Sequence, residues 1–225
     1  MPAYLPFVFG GIVMAALVVW SVTRQRRRDR ARKESLQRLG FHACPEKKAW
    51  LEETVTRIEN NRGYRYEVRD PKQLGRDPAV YFYLKLRHRH PHEDAVAEEE
   101  ILFPLKRRSP SGLVLTVKPA ALAHGLATRM IGALAAGPWD AQPDDLQRIE
   151  LPRELVNTNL VAALGPPSAS LYDLVDTKVL AVAQGLGDAG AMFVQFRDDW
   201  CMVSSASAET PFLVDRVLAG IRPLL

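Results

Sequence analysis

The sequence predicts an α+β protein, with an N-terminal transmembrane helix and helical stalk followed by a mainly antiparallel sheet packed with about four helices. Three observations carry this. Residues 4–22 form an uncharged apolar run. A dense basic run follows it at 24–33. Beyond that, four strand-like segments joined by short links precede amphipathic helices, which favours an antiparallel meander over a parallel sheet.

The 225 residues carry 30 Lys+Arg against 26 Asp+Glu, a net charge of +4, with 47% hydrophobic and 25% charged residues. That balance excludes a chain disordered throughout, a collagen and a polytopic membrane protein. Two cysteines exclude a disulfide framework.

The apolar run reads YLPFVFGGIVMAALVVWSV. At 1.5 Å per residue it reaches roughly 28 Å, close to the hydrocarbon thickness of a bilayer. Tyr4 and Trp20 stand near its ends, where amphipathic rings favour the interface. No base precedes it, unlike a secretory signal. Arg24, Arg26, Arg27, Arg28, Arg30, Arg32 and Lys33 follow it, opposed by Asp29 alone. The positive-inside pattern therefore predicts a single-pass bacterial inner-membrane protein, amino terminus outside and remainder cytoplasmic. The expected divisions are an anchor at 1–23, a basic juxtamembrane stalk at 24–40 and a cytoplasmic domain at 41–225. The basic run also suits anionic lipid headgroups, at about 1 kcal/mol per base near the surface. It alone makes the chain basic: the other residues hold 23 bases and 25 acids. A slightly acidic domain predicts no nucleic-acid partner.

Gly40 is expected to cap the stalk. Pro45 opens a helix to about Asn60, with Trp50, Leu51, Val55 and Ile58 on its apolar face. Alternation at 64–69 predicts a half-exposed strand, and AVYFYLKLR at 79–87 a longer one. A third strand is expected at 100–105, with Pro104 marking an edge or an end. A turn at 106–112 leads to a fourth at 113–117. Glu98, Glu99 and Glu100 read as a charged loop entering the third strand. A helix is expected at 119–136, a loop at 140–145 and a short strand at 160–164. Ser170 and Asp173 suggest a capping box opening a helix to about Gln184. Residues 191–197 and 200–204 suggest a hairpin turning at Asp198 and Asp199. Thr210 and Pro211 open the last helix.

The chemical motifs are sparse. Gly185, Gly187 and Gly190 fit G-x-G-x-x-G, but the predicted order is helix before and strand after. A dinucleotide site needs the reverse, so these glycines read as a helix cap and turn, and no cofactor is expected. His88, His90 and His92 alternate, so an extended chain would place three imidazoles on one face, where zinc could be held. With Glu93 and Asp94 they resemble part of the H-x-H-x-D-H ligand pattern of metallo-β-lactamase-like hydrolases, departing from it at Ala95. A solvated loop around Pro91 is the preferred reading. Cys44 and Cys201 read as buried free thiols, and Ser204, Ser205 and Ser207 as a small-residue loop. No catalytic constellation emerges. The expected function is therefore a membrane-anchored binding or scaffolding domain for a protein partner. The alternative is a metal-assisted hydrolase built around His88, His90 and His92.

Overall fold

The computed structural model describes residues 5–75, 77–88, 96–119, 143–155, 158–205 and 212–224. The chain divides into two compact units, Met1–Phe41 and His42–Leu225. The first is dominated by α1 (Leu5–Arg38), a continuous helix of 34 residues. It ends where Leu39 N–H donates to the Ser35 carbonyl and Gly40 N–H to the Gln37 carbonyl. Gly40 adopts φ 89°, which a side chain would resist. Among the described residues no helix is long and apolar enough to cross a membrane. The side chains of most residues between 5 and 22 lie outside the described set.

The second unit is α+β. Its helices α2 (Lys48–Glu59), α3 (Leu171–Leu174), α4 (Thr177–Leu186) and α5 (Val214–Ile221) accompany a sheet of seven strands among the described residues. These are β1 (Phe41–Ala43), β2 (Tyr64–Leu74), β3 (Val80–His88), β4 (Val96–Val117), β5 (Gln147–Ile149), β6 (Leu160–Gly165) and β7 (Ala191–Ser205). The order is β1-β2-β3-β4-β6-β5, with β7 on β4. Strands β2 to β7 pair antiparallel.

The centre of the sheet departs from the meander. The expected strands at 100–105 and 113–117 are two halves of one strand, β4, and the expected hairpin at 191–204 is one strand, β7. The two long strands pair with each other, from Glu100 opposite Ser204 to Thr116 opposite Phe193. The turn signals are absorbed as irregularities. Register shifts fall between Pro104 and Ser109 and between Ser109 and Leu113. Gly112 (φ 74°) and Asp198 (φ 51°) take the left-handed conformations that such bulges need. Pro104 lies just beyond the last β3 partner, Leu102, where its missing N–H breaks no bond to β3.

Helix α2 covers one face of the sheet. Pro45 opens it through a short 3-10 turn, and Asn60 closes it at φ 43° with its N–H on the Thr56 carbonyl. Leu51, Val55 and Ile58 pack on Val68, Val80, Phe82, Leu84, Leu86, Leu102 and Met202. Each large side chain buried here contributes about 1.5–3 kcal/mol. Trp50 is the exception to the expected apolar face: it remains 37% exposed. The expected helix from Ser170 to Gln184 breaks at Val175, which is extended (φ −143°, ψ 148°). Asp176 restarts it as α4, its carboxylate accepting from the Val179 N–H. A 3-10 turn, Arg153–Leu155, follows β5. The helix expected at 119–136 lies outside the described residues beyond Pro119, and the last helix, α5, opens at Val214 with Leu213 as its N-cap, not at Thr210 and Pro211.

Candidate functional site

The polar residues that converge inside the second unit come from α2, β2, β4 and β7. Register decides which way the three consecutive glutamates of β4 point. Glu98 stands opposite Leu84, and Glu100 between Phe82 and Ser204. Both therefore share the face covered by α2, while Glu99 points to the other. The expected charged loop is thus a strand interior: Glu99 and Glu100 are fully buried and Glu98 half-buried.

On the α2 face, the Ser204 hydroxyl donates to Glu100 Oε2 at 2.6 Å. Glu59, in the last turn of α2, accepts from Gln195 Nε2 at 2.7 Å. Burial, then the like charge of Glu98, pushes the Glu59 carboxyl up to about 8. Burial pushes Glu98 up to about 7, and raises Glu100 well above the usual carboxylate range. The like charge of Glu98 adds to the rise at Glu100. Tyr66 faces the same group, its hydroxyl buried and its titration pushed up by burial first and then by Glu59. The Tyr66 hydroxyl, Gln195 Oε1 and Glu100 Oε1 have no hydrogen-bond partner. On the opposite face the Tyr81 hydroxyl donates to Glu99 Oε2 at 2.9 Å, and the Glu99 N–H donates to Ser205 Oγ at 3.0 Å. Ser204 and Ser205, expected in a loop, are buried strand residues.

Beside this cluster the end of α2 is tied to residues 143–146. Asp144 N–H donates to the Asn60 carbonyl and Arg62 N–H to Asp144 Oδ2. Arg197 makes two bonds to Asp145, at 2.7 and 2.8 Å, and these hold the Asp145 carboxyl down to about 2. The guanidinium lies over Gly112, where a Cβ would come within 2.9 Å of Nη2. Replacing Arg197 by Ala is expected to cost about 1–2 kcal/mol near neutral pH. Because the Asp145 carboxyl is depressed, the difference from wild type should shrink as the pH falls from about 4 towards 2. Urea unfolding at several pH values measures it.

The surface offers two further features. Trp50 meets Trp200 edge to face, with ring centroids 5.3 Å apart, and Lys47 Nζ lies 5.9 Å from the Trp50 ring. A shallow cleft of about 400 Å³ is lined by residues including Ile149, Leu151, Pro152, Leu171 and Tyr172. The Tyr172 hydroxyl donates to Glu154 Oε1 at 2.7 Å.

The residues singled out in the sequence fare differently. His88 ends β3, in register with Tyr64, while His90 and His92 lie outside the described residues. Among the described residues no group of three His, Cys, Asp or Glu is placed to hold a metal ion. Cys44 is buried in the α2 core cluster and His42 is exposed on β1. Burial raises the thiols of both Cys44 and Cys201, against reactivity at neutral pH. Of the basic run, Arg26, Arg27, Arg30 and Lys33 are exposed on α1 and Arg32 is half-buried, while the side chains of Arg24 and Arg28 lie outside the described set. Gly187 and Gly190 form the turn between α4 and β7, helix before and strand after. The glutamate cluster was missed because consecutive charges normally mark solvent. The one signal for it was the apolar sequence on both sides, Val96-Ala97 and Ile101-Leu102-Phe103.

No family model and no curated protein matches the chain. The chain is similar to a solved structure, the crystal structure of the mycobacterial trehalose monomycolate transport factor A, TtfA. The likeness is at 11% identity over 88% of this chain and 90% of that one, with a TM-score of 0.48.

Proposed function

We propose that this chain is a membrane-anchored binding or scaffolding protein that holds a protein partner at the cytoplasmic face of a bacterial inner membrane. The uncharged run at 4–22 and the bases that follow it support the anchor and its orientation. The exposed bases of α1 suit anionic headgroups. The observation that carries the binding reading is Trp50. A large ring more than a third exposed, set edge-on to Trp200 and beside a lysine, is the kind of group that anchors protein interfaces.

Affinity capture of the intact protein from membranes tests this. One protein should co-purify in stoichiometric amount, and Trp50→Ala should weaken that association at least roughly tenfold while the fold persists. Identical recovery by wild type and variant would overturn it. Alkaline phosphatase fused after Leu225 should be inactive, and activity would reverse the orientation. Stoichiometric zinc, lost when His88, His90 and His92 become alanine, would replace this reading with the hydrolase.

A further inference from the structure

Three carboxyls occupy the interface between α2 and the sheet, with little to neutralise them among the described residues. Glu59 and Glu100 are 6% and 0% exposed. Glu59 sits in the last turn of its helix, where the backbone dipole is already negative. The groups that face the three from each element can be named. Helix α2 contributes Glu59 itself, β2 contributes Tyr66 with Tyr64 nearby, and β4 contributes Glu98 and Glu100. Strand β7 contributes Gln195, Ser204 and Arg197, and the 143–146 segment contributes Asp144 and Asp145. Among these groups the one cation is Arg197, and both of its terminal nitrogens are committed to Asp145.

A second, independent observation lies in the same place. Gln195 is 7% exposed and its amide nitrogen is spent on Glu59, yet its Oε1 accepts nothing. Tyr66 is 9% exposed, and its hydroxyl also lacks a partner. Buried polar atoms are seldom left in that state. A carboxyl that carries a proton can donate to an amide oxygen such as Gln195 Oε1, which an ionised carboxylate cannot do.

We propose that the last turn of α2 is a latch held by protons: protons carried by the buried carboxyls of Glu59 and Glu100, with Glu98 beside them, keep this turn on the sheet, and their loss to solvent releases it. Glu100 is fully buried within β4 and cannot reach water without breaking the sheet, whereas Glu98, near the start of β4, is half-buried and can lose its proton in place. Glu59 stands at a helix end, so it is the carboxylate that swings out. Its departure breaks the bond from Gln195 and takes with it the Asn60 carbonyl that binds Asp144. The window is set by the carboxyls near 7 and 8. This inference does not rest on Trp50 or on the anchor.

Amide hydrogen exchange on the full chain in detergent micelles, corrected for the intrinsic pH dependence, tests it. Protection of residues 56–63 should fall at least roughly tenfold between pH 6.5 and 9, since one unit of pKa displacement corresponds to tenfold in the equilibrium. Leu102 and Val203, in the centre of the sheet, should stay protected throughout. Glu59→Gln should abolish the fall. Glu98→Gln, which removes the main like charge acting on Glu59, should reduce it and serves if the first variant folds poorly. Protection unchanged over this range, or an unchanged fall in both variants, would overturn the latch.

Discussion

Stability of the second unit is expected to fall as the pH rises from about 5 to 8, and Glu59→Gln is expected to remove part of that fall. The sign follows from the direction of the displacement. Glu59 and Glu98 hold their protons up to about 8 and 7 in the fold, whereas the unfolded chain releases them near the ordinary value of 4.5. Between those limits the folded state binds more protons, so raising the pH favours unfolding. The contribution is complete below about pH 4.5 and gone above about 8. Each group alone changes stability by about 1.4 kcal/mol per pH unit within its window. Mutual coupling makes the sum smaller than two independent groups would give. At pH 8, Glu59→Gln should therefore be more stable than wild type by about 1–3 kcal/mol, and at pH 4.5 the two should be nearly equal. The amide oxygen still accepts from Gln195, so no bond is lost by design. Urea unfolding of the full chain in micelles, followed by tryptophan fluorescence, gives the comparison. Parallel pH profiles for the two proteins would show that Glu59 is not titrating in the fold.

Gly187→Ala is expected to be among the most damaging single-methyl additions in the chain. A Cβ there would stand 2.5 Å from the Lys118 carbonyl oxygen and 3.4 Å from its carbon. The obstacle is backbone at the end of β4 and cannot swing aside like a side-chain tip. The φ of −57° is ordinary, so the penalty is purely one of space. Overpacking of this kind costs about 2–3 kcal/mol, or a fall of roughly 5–10 °C in Tm for a unit of this size. Gly185→Ala is the control. Nothing lies within 4 Å of its Cβ, and alanine favours the helix it occupies. It should leave Tm unchanged or slightly higher. Equal losses at both sites would mean that helix geometry, and not the contact with Lys118, sets the requirement for glycine.

These residues also show where sequence reading succeeds. The cap at Gly40, the buried face Leu51–Val55–Ile58 and the alternation of Tyr66 and Val68 were legible because local spacing alone decides them. The Gly187–Gly190 turn was legible because its flanking elements stand in the wrong order for a nucleotide site, although Gly185, expected in the cap, lies inside α4. The fusion of four expected strands into β4 and β7 was not. Asp198-Asp199 and the Ser-Pro-Ser-Gly stretch at 109–112 carry every local mark of turns. Only a partner strand far away in sequence converts those marks into bulges. Val175 is similar: nothing in its neighbourhood announces a break, yet Asp176 supplies a second helix start. The glutamates failed for a third reason. Which face each takes depends on its register against Leu84 and Ser204, and register is long-range information.

The pairing of β4 with β7 has a consequence for the order in which the chain acquires structure. Ser204 closes on Glu100 over a sequence separation of 104, so the middle of the sheet is built from segments made far apart in time. Until β7 leaves the ribosome, the edge of β4 that it pairs, from Glu100 to Thr116, stays open, in a strand that carries Ile101, Leu102, Phe103, Leu113, Val114 and Leu115. At about 5–20 residues per second the wait lasts roughly 5–20 s. During it β2, β3 and α2 can assemble as a hairpin under a helix, but Glu100 has no Ser204 and Glu59 no Gln195 to meet it. Completion is thus postponed to the last few dozen residues, and a ribosome stalled before position 191 should display a nascent chain with half a sheet, readily cut by protease and bound by chaperones.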